Sequence, residues 1–229
     1  MSEPTASRAF SLRDLATAVG WWALVLPVVA AGLWLASTFS PTEPWWPDRM
    51  LLDWLADHRT PELDRLFAAL TWAGSLYVLG PLAGLILLTL LWRGRGCDGL
   101  LLALALGVAA LASSVLKDVV ARLRPGLFPP LIPMPGDGSF PSGHATHVTA
   151  FAVALIFLAH RREWSGQAVL AVGLTLIIVA VGASRMYLQV HYPTDVFAGI
   201  ALGLAWVLGL ERLTPGIGAG SRPAGVAQS

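Results

Sequence analysis

Six long stretches of this chain contain no charged residue, and that pattern limits what the chain can fold into. They are Leu15 to Thr42, Leu66 to Trp92, Gly99 to Leu116, Gly138 to His160, Trp164 to Ser184 and Val196 to Leu210. A helix needs about 20 mostly apolar residues to cross a hydrocarbon core about 30 Å thick. The first five stretches are long enough or nearly so; the sixth spans only if its helix starts near Tyr192. Only 13% of the 229 residues are charged and 55% are hydrophobic, against about 25% charged in soluble domains. A water-facing surface built from this chain would leave large apolar patches bare. The expected fold is therefore all-α, an integral membrane bundle of six transmembrane helices. So apolar a chain does not stay disordered. A net charge of +1 also lacks the basic face that a nucleic-acid binder needs. The single cysteine, Cys97, permits no internal disulfide and no multi-cysteine metal site.

The expected organisation is a cytoplasmic tail over 1–14, one six-span domain over 15–213 and a disordered tail over 214–229. Arg8 and Arg13 before an apolar run resemble a signal peptide, but the run is too long for one and other spans follow. Between the first two spans, Trp45 to Arg65 mixes acidic residues and arginines with the run Met50-Leu51-Leu52-x-Trp54-Leu55. That suits an interfacial helix near 48–60, with Trp45, Trp46 and Trp54 at the headgroup level. Trp21, Trp22, Trp92 and Trp164 also fall near span ends.

Lysine and arginine set the orientation. The side holding both termini collects Arg8, Arg13, Arg93, Arg95, Arg161, Arg162, Arg212 and Arg222; the other holds Arg49, Arg59, Arg65, Lys117, Arg122, Arg124 and Arg185. Setting aside Lys117, Arg124 and Arg185, which belong to the clusters below, places the termini in the cytoplasm. The loops after spans three and five then face outward. Gly80-x3-Gly84 and Gly199-x3-Gly203 permit close helix packing, which leaves the oligomeric state open.

Ionisable residues at span ends are costly, so a functional role is the default expectation. They form three clusters on one side: Lys117-x6-Arg124-Pro125; Pro141-Ser142-Gly143-His144; and Ser184-Arg185-x5-His191-x3-Asp195. Lys117 and Arg124 alone read first as snorkelling anchors and second as a cationic clamp on phosphate oxygens. Ser142 can cap a helix whose Gly143 lets a ligand approach the backbone, an arrangement suited to anions. His147 lies on the same helix and receives no role beyond packing or lining. His191 and Asp195 are four apart, so a helical turn would let the carboxylate fix the imidazole tautomer. A structural capping pair reads equally well there. Two histidines and an aspartate could hold a metal, but three neighbouring cations repel a divalent ion and attract an anion. Phosphate is thus favoured over metal, and no cofactor is expected.

Taken together, in this order and spacing, the three clusters resemble the signature of the type 2 phosphatidic acid phosphatase family, which includes glucose-6-phosphatase and the vanadium haloperoxidases. The resemblance runs from about Lys117 to Asp195, and the six-span layout matches the family's bacterial membrane members. It implies that His191 attacks phosphorus to give a phosphohistidine, with Asp195 orienting it. It also implies that His144 protonates the leaving oxygen and later activates water. Lys117, Arg124, Arg185, Ser142 and the Gly143 N–H would bind the phosphoryl oxygens without a metal. The implied partner is a membrane lipid phosphate: undecaprenyl diphosphate, phosphatidylglycerol phosphate or phosphatidate, dephosphorylated on the outer side of a bacterial-type inner membrane. Two alternatives are a lipid phosphotransferase, and a transporter whose charged residues line a permeation path.

Overall fold

The computed structural model describes residues 25–213, so both expected tails, Trp21 and Trp22 lie outside the described residues. The described residues form helices and no strand: α1 (Val25–Thr38), α2 (Trp46–Asp57), α3 (Pro61–Leu70), a 3-10 turn (Thr71–Gly74), α4 (Leu76–Trp92), α5 (Gly96–Val120), α6 (Gly143–Arg161), α7 (Gln167–Tyr187) and α8 (Pro193–Leu213).

Four helices, α5 to α8, are long and apolar enough to span a membrane, and the bent pair from Pro61 to Trp92 makes a fifth candidate. The expected count of six is not reached among the described residues. The first expected span is represented by α1, a shorter apolar helix whose expected start precedes the described residues. The second stretch also differs from expectation. Its uncharged run is continuous in sequence, yet the chain turns through 42° at a break after Gly74. Ser75 then starts α4 afresh, its hydroxyl accepting the Tyr77 N–H at 3.2 Å, as a helix cap does. The stretch expected to form a short interfacial helix, near 48–60, is covered by α2, and α3 follows it from Pro61.

α6 lies at the centre, rich in small residues: Ala145, Ala150, Ala152 and Ala154 are all buried. α8 comes close to it through Gly199 and Gly203. A Cβ at Gly199 would stand 2.5 Å from the Ser142 carbonyl oxygen, and one at Gly203 2.8 Å from that of Thr146. This glycine pair serves packing within the chain, whereas Gly80 and Gly84 face open space. At the end of the bundle away from the three clusters, buried Asp98 pairs with Arg95 at 2.9 Å and Arg162 at 2.6 Å, tying the start of α5 to the end of α6.

α2 turns Trp46, Met50 and Trp54 outward while Asp48 and Leu52 are fully buried. An apolar outer face over an acidic inner contact suits a helix bordered by lipid. Trp45 does more than anchor, since it packs against the buried cluster of Leu35, Val120 and Phe140.

Candidate active site

All three clusters meet at one end of the bundle because α5 and α7 end there and α6 and α8 begin there. Lys117 sits in the last turn of α5, which stops at Ala121 in the left-handed conformation (φ 49°). Arg124 follows in the extended segment. A loop then leaves and returns to Ser139, whose N–H donates to the Arg122 carbonyl at 2.8 Å. Gly143 and His144 open α6, Arg185 lies in the last turn of α7, His191 in the α7–α8 link and Asp195 in the first turn of α8.

A cavity of ≈ 310 Å³ is lined by Lys117, Arg124, Gly143, His144, Arg185 and His191, with Ser113, Asp137 and His147 also on its wall. Arg124 donates through Nη1 to the Val190 carbonyl at 2.7 Å and stands 3.2 Å from His191 Nε2. The other ring nitrogen, Nδ1, is 3.4 Å from Asp195 Oδ2. Nε2 is thus the nitrogen on the cationic side and Nδ1 the one on the carboxylate side. Burial first, then the Arg124, Arg185 and Lys117 charges, push the His191 imidazole well below its ordinary pKa. The ring is therefore neutral at neutral pH, with a lone pair to offer.

Arg185 donates from Nη1 to Thr71 Oγ1 at 2.7 Å, while its buried Nε has no hydrogen-bond partner. Gly143 leaves its side of the cavity open, since a Cβ there would lie 3.4 Å from His147 Cε1 and 3.7 Å from Lys117 Cε. Ser142 occupies the N-cap position of α6, but its buried hydroxyl makes no capping bond, contrary to expectation. Its backbone instead joins α6 to α8, the N–H donating to the Asp195 carbonyl at 2.9 Å. His147 lines the cavity with Nε2 3.2 Å from Ser113 Oγ.

Sequence reasoning missed the support beneath this wall. Arg122, counted there only as an orientation charge, is 4% exposed. It donates to Asp195 Oδ1 at 2.6 Å, Thr194 Oγ1 at 2.7 Å and Asp48 Oδ2 at 2.9 Å. Its guanidinium carbon lies 4.0 Å from the Tyr192 ring centroid. Asp48 also accepts the Thr194 N–H at 2.9 Å, placing a carboxylate at the start of α8 where the helix dipole favours one. Asp195 thus faces Arg122 through one oxygen; through the other it accepts the Tyr192 N–H at 2.9 Å and faces His191.

Asp137 was also unassigned. Its carboxylate accepts from Lys117 Nζ at 2.6 Å and Arg124 Nη2 at 2.5 Å. Burial pushes its pKa up, but hydrogen bonds from Lys117 and Arg124 outweigh that and hold it at about 2.

The cavity at this end of the bundle gathers three imidazoles, three cations and a helix N-terminus, the outfit of an anion site. The similarities to known proteins agree with that class. Residues 98–216 match the family model described as the PAP2 superfamily. Phosphatidylglycerophosphatase B of Bacillus subtilis strain 168 is 35% identical over 149 residues, covering 64% of this chain and 72% of that protein. Undecaprenyl-diphosphatase of Sulfolobus acidocaldarius is 35% identical over 149 residues, covering 63% of this chain and 67% of that protein. The crystal structure of a transmembrane PAP2-type phosphatidylglycerolphosphate phosphatase from Bacillus subtilis aligns with a TM-score of 0.71 and 29% identity, over 85% of this chain and 94% of that one. The chain belongs to the PAP2 superfamily, and it is a multi-pass membrane protein.

Proposed function

We infer that this membrane phosphatase removes the terminal phosphoryl group of a lipid phosphate or diphosphate through a phosphohistidine on His191. One observation carries the reading: His144 and His191, with His147 beside them, and three cations, from separate stretches of chain, line a single cavity. Lys117, Arg124 and Arg185, with Ser142 and the Gly143 N–H, hold the non-bridging oxygens. Their fixed charge stabilises the transition state of phosphoryl transfer. His191 Nε2 forms the new bond to phosphorus as the bond to the lipid oxygen breaks. Asp195 keeps the proton on Nδ1 and offsets the charge that the ring gains. His144 gives its proton to the departing lipid oxygen, then takes one from the water that splits the phosphohistidine.

The names of the similar proteins support phosphatidylglycerol phosphate and undecaprenyl diphosphate as the first substrates to try, with phosphatidate beside them. The arginine distribution supports cytoplasmic termini and a cavity opening outward, on a single domain over 15–213. Purified protein, assayed in chelator against a panel of lipid mono- and diphosphates, is expected to release inorganic phosphate from at least one of them without added metal. Release that depends on zinc or magnesium contradicts the mechanism. Phosphate that leaves the lipid only when a second lipid is present indicates a phosphotransferase instead.

A further inference from the structure

Asp137 is the only charged residue between Arg124 and Pro141, and its carboxylate bridges two of the three cavity cations, Lys117 and Arg124. The carboxylate is not what holds those cations in place. Lys117 Nζ also donates to the Gly138 carbonyl at 2.9 Å. Arg124 donates to the backbone carbonyls of Asp137 at 3.1 Å, Gly138 at 3.4 Å and Val190 at 2.7 Å. The loop is held the same way: a Cβ at Gly138 would stand 2.6 Å from the Lys117 carbonyl oxygen. Main chain therefore fixes the clamp, and the carboxylate occupies it.

The carboxylate also has somewhere to go. Its side chain is 47% exposed, and it borders a second cavity of ≈ 480 Å³ on the other side of Lys117 and Arg124, lined also by Met134, Gly136 and Gly138.

We propose that Asp137 is a specificity residue, a resident anion that singly charged phosphodiester headgroups cannot displace and doubly charged terminal phosphoryl groups can. This rests on the phosphate-binding reading above. A phosphodiester carries one negative charge, so taking the clamp exchanges one monoanion for another. The carboxylate, tethered beside its partners, has the advantage of an effective concentration in the millimolar range or above. A terminal phosphoryl group brings a second charge and a third non-bridging oxygen, enough to engage Arg185 as well as Lys117 and Arg124. A site set in a membrane is surrounded by diester headgroups, so excluding them keeps the clamp available.

The test uses full-length protein in detergent, with wild type compared against Asp137→Asn and Asp137→Ala. Inorganic phosphate and dimethyl phosphate, a diester monoanion, are titrated while the thermal unfolding midpoint is followed, which gives binding constants without turnover. Wild type is expected to bind phosphate and to discriminate against dimethyl phosphate. In both variants the discrimination, taken as the ratio of the two dissociation constants, is expected to fall by about tenfold or more. The gain falls mainly on the diester. In the lipid assay, added phosphatidylglycerol is then expected to inhibit the variants and leave wild type unaffected. A ratio unchanged in both variants, or equal loss of both anions as for a residue that positions the clamp, overturns the role of Asp137 and leaves the functional reading standing. Wild type that binds no phosphate overturns both.

Discussion

The His191→Ala protein is expected to bind phosphate and hydrolyse nothing. In the inferred mechanism Nε2 of this ring is the only nucleophile. Lys117, Arg124 and Arg185 are cations, and His147 has its Nε2 turned to Ser113. Losing the nucleophile removes the covalent route altogether, so the fall in phosphate release is on the order of 10⁴-fold or more. His191 is 1% exposed, so removing it also leaves a void. A thermal shift with inorganic phosphate distinguishes an intact clamp from a collapsed fold, and His191→Asn fills more of the space. Variants that bind phosphate and still turn over at a measurable fraction of the wild-type rate would exclude His191 as the nucleophile.

The second large effect is on stability. Arg122→Ala leaves Asp48 and Asp195 facing one another's vacated partner, both with 0% exposure. A buried ion pair is weak evidence of net stabilisation, but removing one member strands the other's charge. Here one guanidinium serves two carboxylates, so the expected loss is about 3–5 kcal/mol, read as a lower unfolding midpoint. Arg122→Lys is expected to recover only part of it. An ammonium cannot reproduce the planar fork that reaches Asp195, Thr194 and Asp48 together while lying over Tyr192. Activity should fall further than stability alone explains, because Asp195 would no longer be held against His191. An Arg122→Ala protein as stable as wild type would mean that the network is not load-sharing as the geometry indicates.

The contrast between these two residues shows what was legible in the sequence. His191, His144, Arg185, Lys117 and Arg124 stand out because ionisable groups at the ends of apolar stretches are conspicuous, and the cavity brings them together. Helices α5 to α8 were legible for a similar reason: charges bound their apolar runs. Arg122 lies two residues from Arg124 and looked like one more surface charge. Its partners, Asp48 and Asp195, are 74 and 73 residues away, and a pairing across that distance leaves no local pattern. The break at Thr71–Gly74 was hidden because no charged residue marks it. The turn brings Gly74 against the bundle, where a Cβ would stand 2.6 Å from Val181 Cγ1 and 3.0 Å from the His144 carbonyl oxygen. Asp137 was visible as the lone charge in its loop, yet nothing in the spacing placed it on Lys117 and Arg124.

The most direct measurement is to mix wild-type protein with a lipid substrate carrying radiolabelled terminal phosphate, quench within a turnover in alkali, and map the label by peptide. Label on His191, stable to alkali and lost in acid, is the expected result. Turnover of that lipid with no label on His191, or with label on another side chain, would contradict the account.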